Sequence, residues 1–240
     1  QTAFATNDWK LVSCGYNFVA AIKTNGKLYT WGSNAFGQLG RNAFGGASSS
    51  PVQVGSNTNW QLVSCGKNHV AAVTTDMKLW VWGNNINGEL GIGFSGASNS
   101  CERKLTPYMH PYEYNWRSFS TQNVILAIKN DGTLWGWGWN FEGTLPDVNG
   151  VSLGNGVNTP TQIGYENDWY LIGNKVAIKE DGTVLQWGYD INSQLGTSGN
   201  EIHGLRRPCP ESPEIYNFSP SIGEEGTVIT IKGKNFVDVT

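Results

Sequence analysis

Charged side chains are scarce in this sequence, and no basic cluster stands out among them. The 240 residues include 16 Lys and Arg against 19 Asp and Glu, which gives a net charge of −3. Adjacent basic residues occur only at Arg103-Lys104 and Arg206-Arg207. A nucleic-acid-binding protein usually presents a clustered positive surface, so we expect no nucleic-acid partner.

Long apolar runs and targeting signals are also missing. No stretch approaches the roughly 20 apolar residues that a transmembrane helix needs, so we expect no membrane span. The N-terminus begins with Gln1 and has neither an initiator Met nor the charged and then apolar pattern of a signal peptide. We therefore expect either a processed chain or a piece of a longer one. The C-terminal sequence, described below, favours a piece.

The common catalytic signatures are absent as well. The sequence has no Gly-x-Ser-x-Gly nucleophile motif and no Gly-rich phosphate loop ending in Gly-Lys-Ser or Gly-Lys-Thr. Its three His, at positions 69, 110 and 203, have no catalytic or ligand signature around them, and the run 147–150 lacks the Glu of a Ca²⁺ loop. We predict a protein that is not an enzyme and has no catalytic residues, cofactor or metal.

Cysteine is rare, with four residues in the whole chain. Cys14 and Cys65 occupy the same place in two copies of Val-Ser-Cys-Gly, and their apolar neighbours predict buried free thiols. Cys101 and Cys209 lie in irregular segments, where they either pair or stay free, so the redox compartment is left open.

Glycine and tryptophan are abundant, with 31 and 11 residues. Both are concentrated in short hairpin patterns. In the clearest one an apolar strand at 124–129 is followed by the turn pair Asp131-Gly132 and by the alternating strand Trp135-Gly136-Trp137-Gly138. Alternation at period two places the indoles on one face and bare backbone on the other, which predicts a close approach of another sheet.

The hairpin belongs to a repeat of about 50 residues that occurs four times in the chain. Two sets of Trp keep this period, one at the start of each copy and one in the second hairpin strand. These repeat anchors are Trp9, Trp31, Trp60, Trp82, Trp116, Trp137, Trp169 and Trp187. Periods of about 40–50 residues are typical of propeller blades or solenoid units.

Each repeat runs in the same order. A strand opened by the first Trp precedes the hairpin, a Gly/Asn-rich loop follows it, and in the first and third copies a short fourth strand begins at Pro51 or Pro160. Four strands per unit is the count of a propeller blade. We predict an all-β fold, a β-propeller with four blades of four antiparallel strands at about 7–55, 58–114, 115–164 and 167–208. The blades would close tightly, be completed by other subunits, or form part of a larger ring.

Four landmarks carry a family resemblance: Trp-x-x-Val-Ser-x-Gly, Ala-Ile-Lys-x-x-Gly-x-Leu-x-x-Trp-Gly, Asn-x-x-Gly-Gln-Leu-Gly and Pro-x-Gln-Val-Gly. Over about residues 7–208 they resemble the repeat of the regulator-of-chromosome-condensation family, which implies a propeller of usually about seven blades around a central channel. Met77 departs from the pattern where a turn Gly is expected, and Gly143-Thr-Leu-Pro146 replaces the third Gly-Gln-Leu-Gly. The family's nucleotide exchange on a small GTPase is not carried over, because its functional residues cannot be matched in this sequence.

The composition changes after Pro208. Residues 209–213 read as a Pro-rich linker, and 214–240 contain a predicted strand at 228–232. The motif Pro-x-Ile-x-x-Phe-Ser-Pro, with Gly-Thr-x-Ile-x-Ile-x-Gly-x-Asn-Phe after it, is similar to the beginning of an IPT/TIG immunoglobulin-like domain. Such a partial β-sandwich falls short of the roughly 100 residues that the fold needs, so we expect the sequence to stop inside a domain.

Long variable segments lie at 41–50, 91–114, 146–159 and 197–207. On a propeller they would lie on the rims, and loops on a rigid scaffold are usual carriers of recognition. In the longest, Tyr108, Tyr112 and Tyr114 beside His110 are the candidate binding residues, because they resemble the mixture of aromatic and adaptable residues in binding loops. The alternative is a solvated insertion.

These observations favour a non-enzymatic structural or binding module. Propeller repeats joined to IPT/TIG-like strands look like the architectures of phage virions and bacterial surface proteins, so we expect a virion-associated protein that decorates or attaches a tail or capsid. Its location would be the virion or the extracellular space, and its partners other virion or surface proteins and a host-surface ligand. The alternatives are a secreted bacterial cell-surface adhesin and a GTPase-regulator-like propeller.

Overall fold

The computed structural model describes residues 7–96, 103–112, 115–141, 144–146 and 153–189, together with strands at 201–206, 214–219 and 230–234. Every helix or strand assigned in these residues is a β-strand. The predicted all-β class is therefore confirmed, and it follows from the short alternating strands and Gly-rich turns of the sequence.

The described strands form four antiparallel sheets of four strands each, in chain order, and we call these sheets blades 1 to 4. Blade 1 contains β1 (Trp9–Cys14), β2 (Phe18–Lys23), β3 (Leu28–Ser33) and β4 (Ala47–Gln53). Blade 2 contains β5 (Trp60–Cys65), β6 (His69–Thr74), β7 (Leu79–Asn84) and β8 (Arg103–Met109). Blade 3 contains β9 (Trp116–Thr121), β10 (Val124–Lys129), β11 (Leu134–Trp139) and β12 (Gly156–Ile163). Blade 4 contains β13 (Trp169–Ile172), β14 (Val176–Lys179), β15 (Val184–Tyr189) and β16 (Glu201–Arg206).

The turn between the second and third strands of each blade needs a residue in the left-handed conformation. Gly26, Gly132 and Gly182 occupy it with φ of 74°, 80° and 83°, which glycine adopts without steric cost. In blade 2 the same position is held by Met77 at φ 63°. A side chain in this conformation costs roughly 1–2 kcal/mol, so the turn of blade 2 is strained at Met77.

At Gly136 the bare face of the Trp-Gly strand is filled from within its own repeat. A Cβ on Gly136 would lie 2.6 Å from Leu145 Cδ2 and 2.9 Å from Ile163 Cδ1. The close approach that the alternation predicts is thus made there by side chains of the same blade, and not by the backbone of a second sheet.

Adjacent blades pack face to face through two apolar cores. One core joins blades 1 and 2 and includes Phe18, Ile22, Trp60 and Trp82. The other runs through blades 2, 3 and 4. The first strands of the blades contact one another in chain order, β1 with β5, β5 with β9 and β9 with β13. The four blades are therefore held in sequence, each against the next.

Side chains on the first strand of blade 1 are exposed at places where the first strand of blade 2 is buried. Val12 on β1 is 61% exposed, whereas Val63, at the same place on β5, is only 6% exposed because blade 1 covers it. Cys14 is likewise exposed and Cys65 buried. The prediction of two buried thiols is therefore wrong for Cys14, because burial at this position comes from the preceding blade and not from the local sequence.

The last two strands lie beyond the blades. β17 (Glu214–Ser219) and β18 (Thr230–Lys234) pair in antiparallel fashion as a two-stranded sheet. The strand predicted at 228–232 is thus found two residues later. An immunoglobulin-like domain is not shown by these two strands, and the predicted linker at 209–213 lies outside the described residues.

Candidate functional site

One buried Asn holds the Gly/Asn-rich loop after the third strand of each of blades 1 to 3. In blade 1 the Leu39 N–H donates a hydrogen bond to Asn34 Oδ1 at 3.0 Å. The corresponding hydrogen bond recurs in blades 2 and 3, from Leu90 to Asn85 and from Leu145 to Asn140. The side chain of the Asn replaces a backbone acceptor inside the loop, so the sequence motif fixes the loop conformation.

The loop of one blade receives the indole of the next. Trp82 Nε1 donates to Gln38 O at 2.9 Å, and Trp187 Nε1 donates to Thr144 O at 2.9 Å. Gly40 makes room for the first ring, because a Cβ there would lie 2.8 Å from Trp82 Nε1. We call this arrangement the loop–indole contact. Its hydrogen bond joins blade 1 to blade 2 and blade 3 to blade 4. Between blades 2 and 3 the Trp137 ring packs against Gly91, where a Cβ would lie 2.4 Å from Trp137 Cδ1, but Trp137 Nε1 has no hydrogen-bond partner among the described residues.

Backbone hydrogen bonds also tie the loops between the first and second strands of blades 1, 2 and 3. The Tyr16 N–H donates to Lys67 O at 3.3 Å, and the Lys67 N–H donates to Gln122 O at 3.1 Å. These loops surround a central cavity of about 350 Å³, whose lining includes Cys14 and Cys65. Burial raises the pKa of the Cys65 thiol to about 12, so this sulfur is a packing group and not a nucleophile.

A second cavity, of about 180 Å³, shares Lys67, Gln122 and Asn123 with the first. Its walls come from three blades: Phe36 from blade 1, His69, Asn84 and Glu89 from blade 2, and Trp139 from blade 3. The His, Asn and Glu are all buried. We call it the Glu89 cavity. Both cavities lie where loops of successive blades meet.

His69 opens β6 at the place that Phe18 takes in β2 and Val124 takes in β10, each paired with the Gly of a Trp-Gly unit. Its ring packs over Gly66, where a Cβ would lie 2.2 Å from His69 Cε1. Complete burial lowers the pKa of His69 to about 4. The imidazole is therefore neutral near pH 7 and occupies the place of an apolar side chain.

The four predicted binding residues fall into different surroundings. Tyr108 lies on β8, 38% exposed, with Lys104 Nζ 4.7 Å from its ring centroid. His110 is buried, with its ring centroid 5.5 Å from that of Tyr112 and 5.8 Å from that of Trp137, and burial lowers its pKa to about 4. Tyr114 lies outside the described residues. The structure thus brings His110 and Tyr112 together beside blade 3, and the binding role of the set stays a prediction.

The described residues offer no evident catalytic or metal centre. In this part of the chain no group of three or more His, Cys, Asp or Glu is placed to hold a metal ion. Nor does any helix there have the length and hydrophobicity needed to cross a bilayer. Cys101 and Cys209 lie outside the described residues. The main features of these residues are packed loops and the cavities at the junctions between blades.

Family models for the regulator of chromosome condensation (RCC1) repeat match residues 9–38, 25–73 and 60–89. In the solved structure of Prp20p from Saccharomyces cerevisiae, a protein studied for its binding to Gsp1p and histones, the similarity covers 90% of this chain and 55% of that chain. The TM-score is 0.70 at 20% sequence identity. The repeats are RCC1-like. Together with the four-stranded sheets, this similarity shows that the described blades have the RCC1-like propeller fold.

Two human proteins show the same similarity at the level of sequence. The X-linked retinitis pigmentosa GTPase regulator is 29% identical over 153 residues, which is 63% of this chain and 14% of that protein. The probable E3 ubiquitin-protein ligase HERC6 is 28% identical over 156 residues, 64% of this chain and 15% of that protein. The chain therefore spans only a small part of these relatives, and what is shared is the RCC1-like repeat.

The Glu89 cavity is not predicted by any of the sequence patterns described above. The available signal was the motif itself, since Gly88-Glu89-Leu90-Gly91 carries a carboxyl group where Gln38 and Gln194 stand in the first and fourth loops. A single acidic residue in a Gly/Asn-rich loop looks like a surface charge. Only the contact of three blades shows that this one is enclosed.

Proposed function

We propose that the chain is a non-enzymatic protein-interaction module of the RCC1-like type and that a small GTPase is its partner class. The observation that carries the proposal is the face formed by the tied loops of blades 1 to 3. Backbone hydrogen bonds hold these loops to one another, so a partner meets a preformed surface and little ordering is required on binding.

The comparisons support this partner class over the other interpretations. A related chain carries the name of a GTPase regulator, and Prp20p was studied for its binding to Gsp1p. The similarity covers 14% of the GTPase regulator and 55% of Prp20p, less than two thirds of either, so their partners come to this chain only as a proposal. The scaffold itself uses no catalytic group in the described residues, which is consistent with recognition by surface shape and charge.

The direct test is a binding and exchange assay with purified proteins. The immobilised chain is incubated with a panel of small GTPases loaded with a fluorescent GDP analogue, and binding and nucleotide release are measured. We expect at least one member to bind saturably; accelerated release would add an exchange activity. If no member binds at micromolar concentration, the GTPase is excluded as the partner class.

The virion and adhesin interpretations remain separate hypotheses, and the comparisons lend them no support. They rest on the proposed division of the chain into repeats up to residue 208, a linker at 209–213 and the beginning of an IPT/TIG-like domain at 214–240. The paired strands β17 and β18 agree with a β-structure in that last segment. Imaging of purified virions, or fractionation of cells that make the protein, would test a virion or extracellular location.

A further inference from the structure

The buried carboxylate in the Glu89 cavity has no cationic partner within the part of the chain that the structure describes. Glu89 is 5% exposed and accepts hydrogen bonds from Asn84 Nδ2 at 2.6 Å, Asn87 N at 2.9 Å and Asn87 Nδ2 at 3.3 Å. All three donors are neutral amides, and no ion pair joins Glu89 to another described residue. Buried carboxylates are normally paired with a cation, so the cavity lacks its counter-charge.

Two further polar atoms of the same cavity have no hydrogen-bond partner among the residues that the structure describes. Asn84 Oδ1 and His69 Nε2 are buried and unsatisfied, and both residues line the cavity beside Glu89. Leaving a buried polar group unpaired costs roughly 1–3 kcal/mol. Because Asn84 Oδ1 is an acceptor, the group that would satisfy it must bring N–H or O–H donors.

The remaining walls favour a flat cationic group. Phe36 and Trp139 supply aromatic surface from blades 1 and 3, and Trp139 is stacked on Phe141 with ring centroids 5.6 Å apart. Lys67 also lines the cavity, but its Nζ lies 5.9 Å from the ring centroid of Tyr16, which belongs to the central cavity. Aromatic faces attract cations, and Arg most often.

We propose that the Glu89 cavity binds an arginine side chain of a protein partner. Guanidinium carries five N–H donors and no acceptor, so it can pair with the Glu89 carboxylate, donate to Asn84 Oδ1 and lie against an aromatic wall. A cavity of about 180 Å³ accommodates one such side chain. The proposal rests on the protein-interaction function above and adds the chemistry that the partner must present.

The chain itself supplies the matched variant. Gln38 holds the place of Glu89 in blade 1, where its Oε1 accepts a hydrogen bond from the Phe36 N–H at 2.8 Å. Glu89→Gln therefore introduces the side chain that the equivalent loop of blade 1 accommodates. It removes the negative charge and exchanges one acceptor oxygen for an amide donor. Urea unfolding followed by Trp fluorescence verifies that the variant is folded.

The probe is a short peptide, Gly-Gly-Arg-Gly-Gly with blocked termini, titrated into the 240-residue chain and followed by NMR. A second peptide carries citrulline, which has the shape of arginine without its charge. We expect saturable shifts at Asn84 and Trp139 with the Arg peptide, and an affinity about tenfold weaker for the citrulline peptide and for Glu89→Gln. Equal binding of both peptides, no effect of Glu89→Gln, or a cavity that holds only water would overturn the proposal.

The two proposals fail independently. If a GTPase binds the wild-type chain and Glu89→Gln equally well, and the Arg peptide shows no preference over citrulline, the arginine site is rejected and the interaction module stands. If the Arg peptide binds through Glu89 and no GTPase binds, the site stands and the GTPase is rejected as the partner class.

Discussion

At the scale of single residues, Met77 is a position where local sequence and backbone conformation disagree. Its φ of 63° is the left-handed conformation that glycine supplies in the other three turns. We predict that Met77→Gly raises the free energy of unfolding by about 1 kcal/mol, since relief of strain exceeds the entropy cost of glycine. Urea unfolding measures the change.

The matched control for Met77→Gly is Gly132→Ala at the same turn of blade 3. Its Cβ would lie 1.9 Å from Asn167 O, so this variant should be destabilised. A Met77→Gly variant that unfolds at the same or lower urea concentration than the wild type would show that the strain at Met77 does not exceed the entropy cost of glycine.

Two buried histidines predict how stability depends on pH. The pKa values of His69 and His110 are both lowered to about 4 by burial, below the ordinary value of 6.5. The unfolded chain therefore binds protons that the native chain does not, and stability falls as pH drops from about 6.5 towards 4, by up to about 3 kcal/mol for each His. Unfolding free energies measured between pH 7 and pH 5 should decrease accordingly.

His69→Phe separates the two contributions, because Phe18 already occupies the equivalent place in blade 1. This variant should fold. Its free energy of unfolding should fall between pH 7 and pH 5 by about half of the amount that the two histidines cause in the wild type. An unchanged slope would mean that His69 stays accessible to protons in the native state.

At the scale of elements, the loop–indole contact sets how one blade meets the next. Gly40 has φ +68 and no space for a Cβ beside Trp82, whereas Gly55 has φ +59 and no atom within 4 Å of the position that a Cβ would take. Both variants place alanine in the left-handed backbone conformation, which lowers the free energy of unfolding. In Gly40→Ala the new Cβ also overpacks against Trp82, which costs roughly 1–3 kcal/mol more. We predict that Gly40→Ala lowers the unfolding free energy by more than Gly55→Ala, as measured by thermal or urea unfolding.

If Gly40→Ala and Gly55→Ala lower the free energy of unfolding by the same amount, Gly40 is not needed to make room for the Trp82 ring. That outcome would mean that Trp82 moves aside without cost and that the hydrogen bond from its Nε1 to Gln38 O is not needed for the blade contact.

The inner elements of each blade were more predictable than the outermost one. Alternation and turn residues indicate the Trp-opened strand and the hairpin, and the structure contains them in all four repeats. The fourth strands β8 and β16 lack the Pro-x-Gln pattern seen at Pro51 and Pro160. They pair with β7 and β15 along an edge, so their position depends on the neighbouring strand more than on their own sequence.

At the scale of the whole molecule, the packing of blade 1 on blade 2 predicts that two equivalent cysteines differ in reactivity. Cys14 is exposed on blade 1, whereas Cys65 is buried with its pKa raised to about 12. In the native 240-residue chain we expect maleimide to modify Cys14 rapidly and Cys65 only after unfolding. Peptide mass spectrometry assigns the label to each cysteine. Comparable labelling of both thiols under native conditions would show that blade 1 does not cover Cys65.

The candidate sites depend on relations between repeats, which no single repeat displays. The aromatic residues near position 110 were recognisable from composition, but the burial of His110 comes from its contact with Trp137 in the next blade. Glu89 is enclosed because Phe36 and Trp139 approach from both sides. Sequence spacing predicted that the repeats exist and in what order. The distances between their side chains required the packed blades.

The forward direction of the loop–indole contact has a consequence for how such a protein changes during evolution. A duplicated repeat arrives with a loop that accepts the indole after it and an indole that fits the loop before it. The array can therefore gain or lose internal units without inventing an interface, and the first and last units of an array that has not closed each expose one half of a contact that a newly added neighbour can fill.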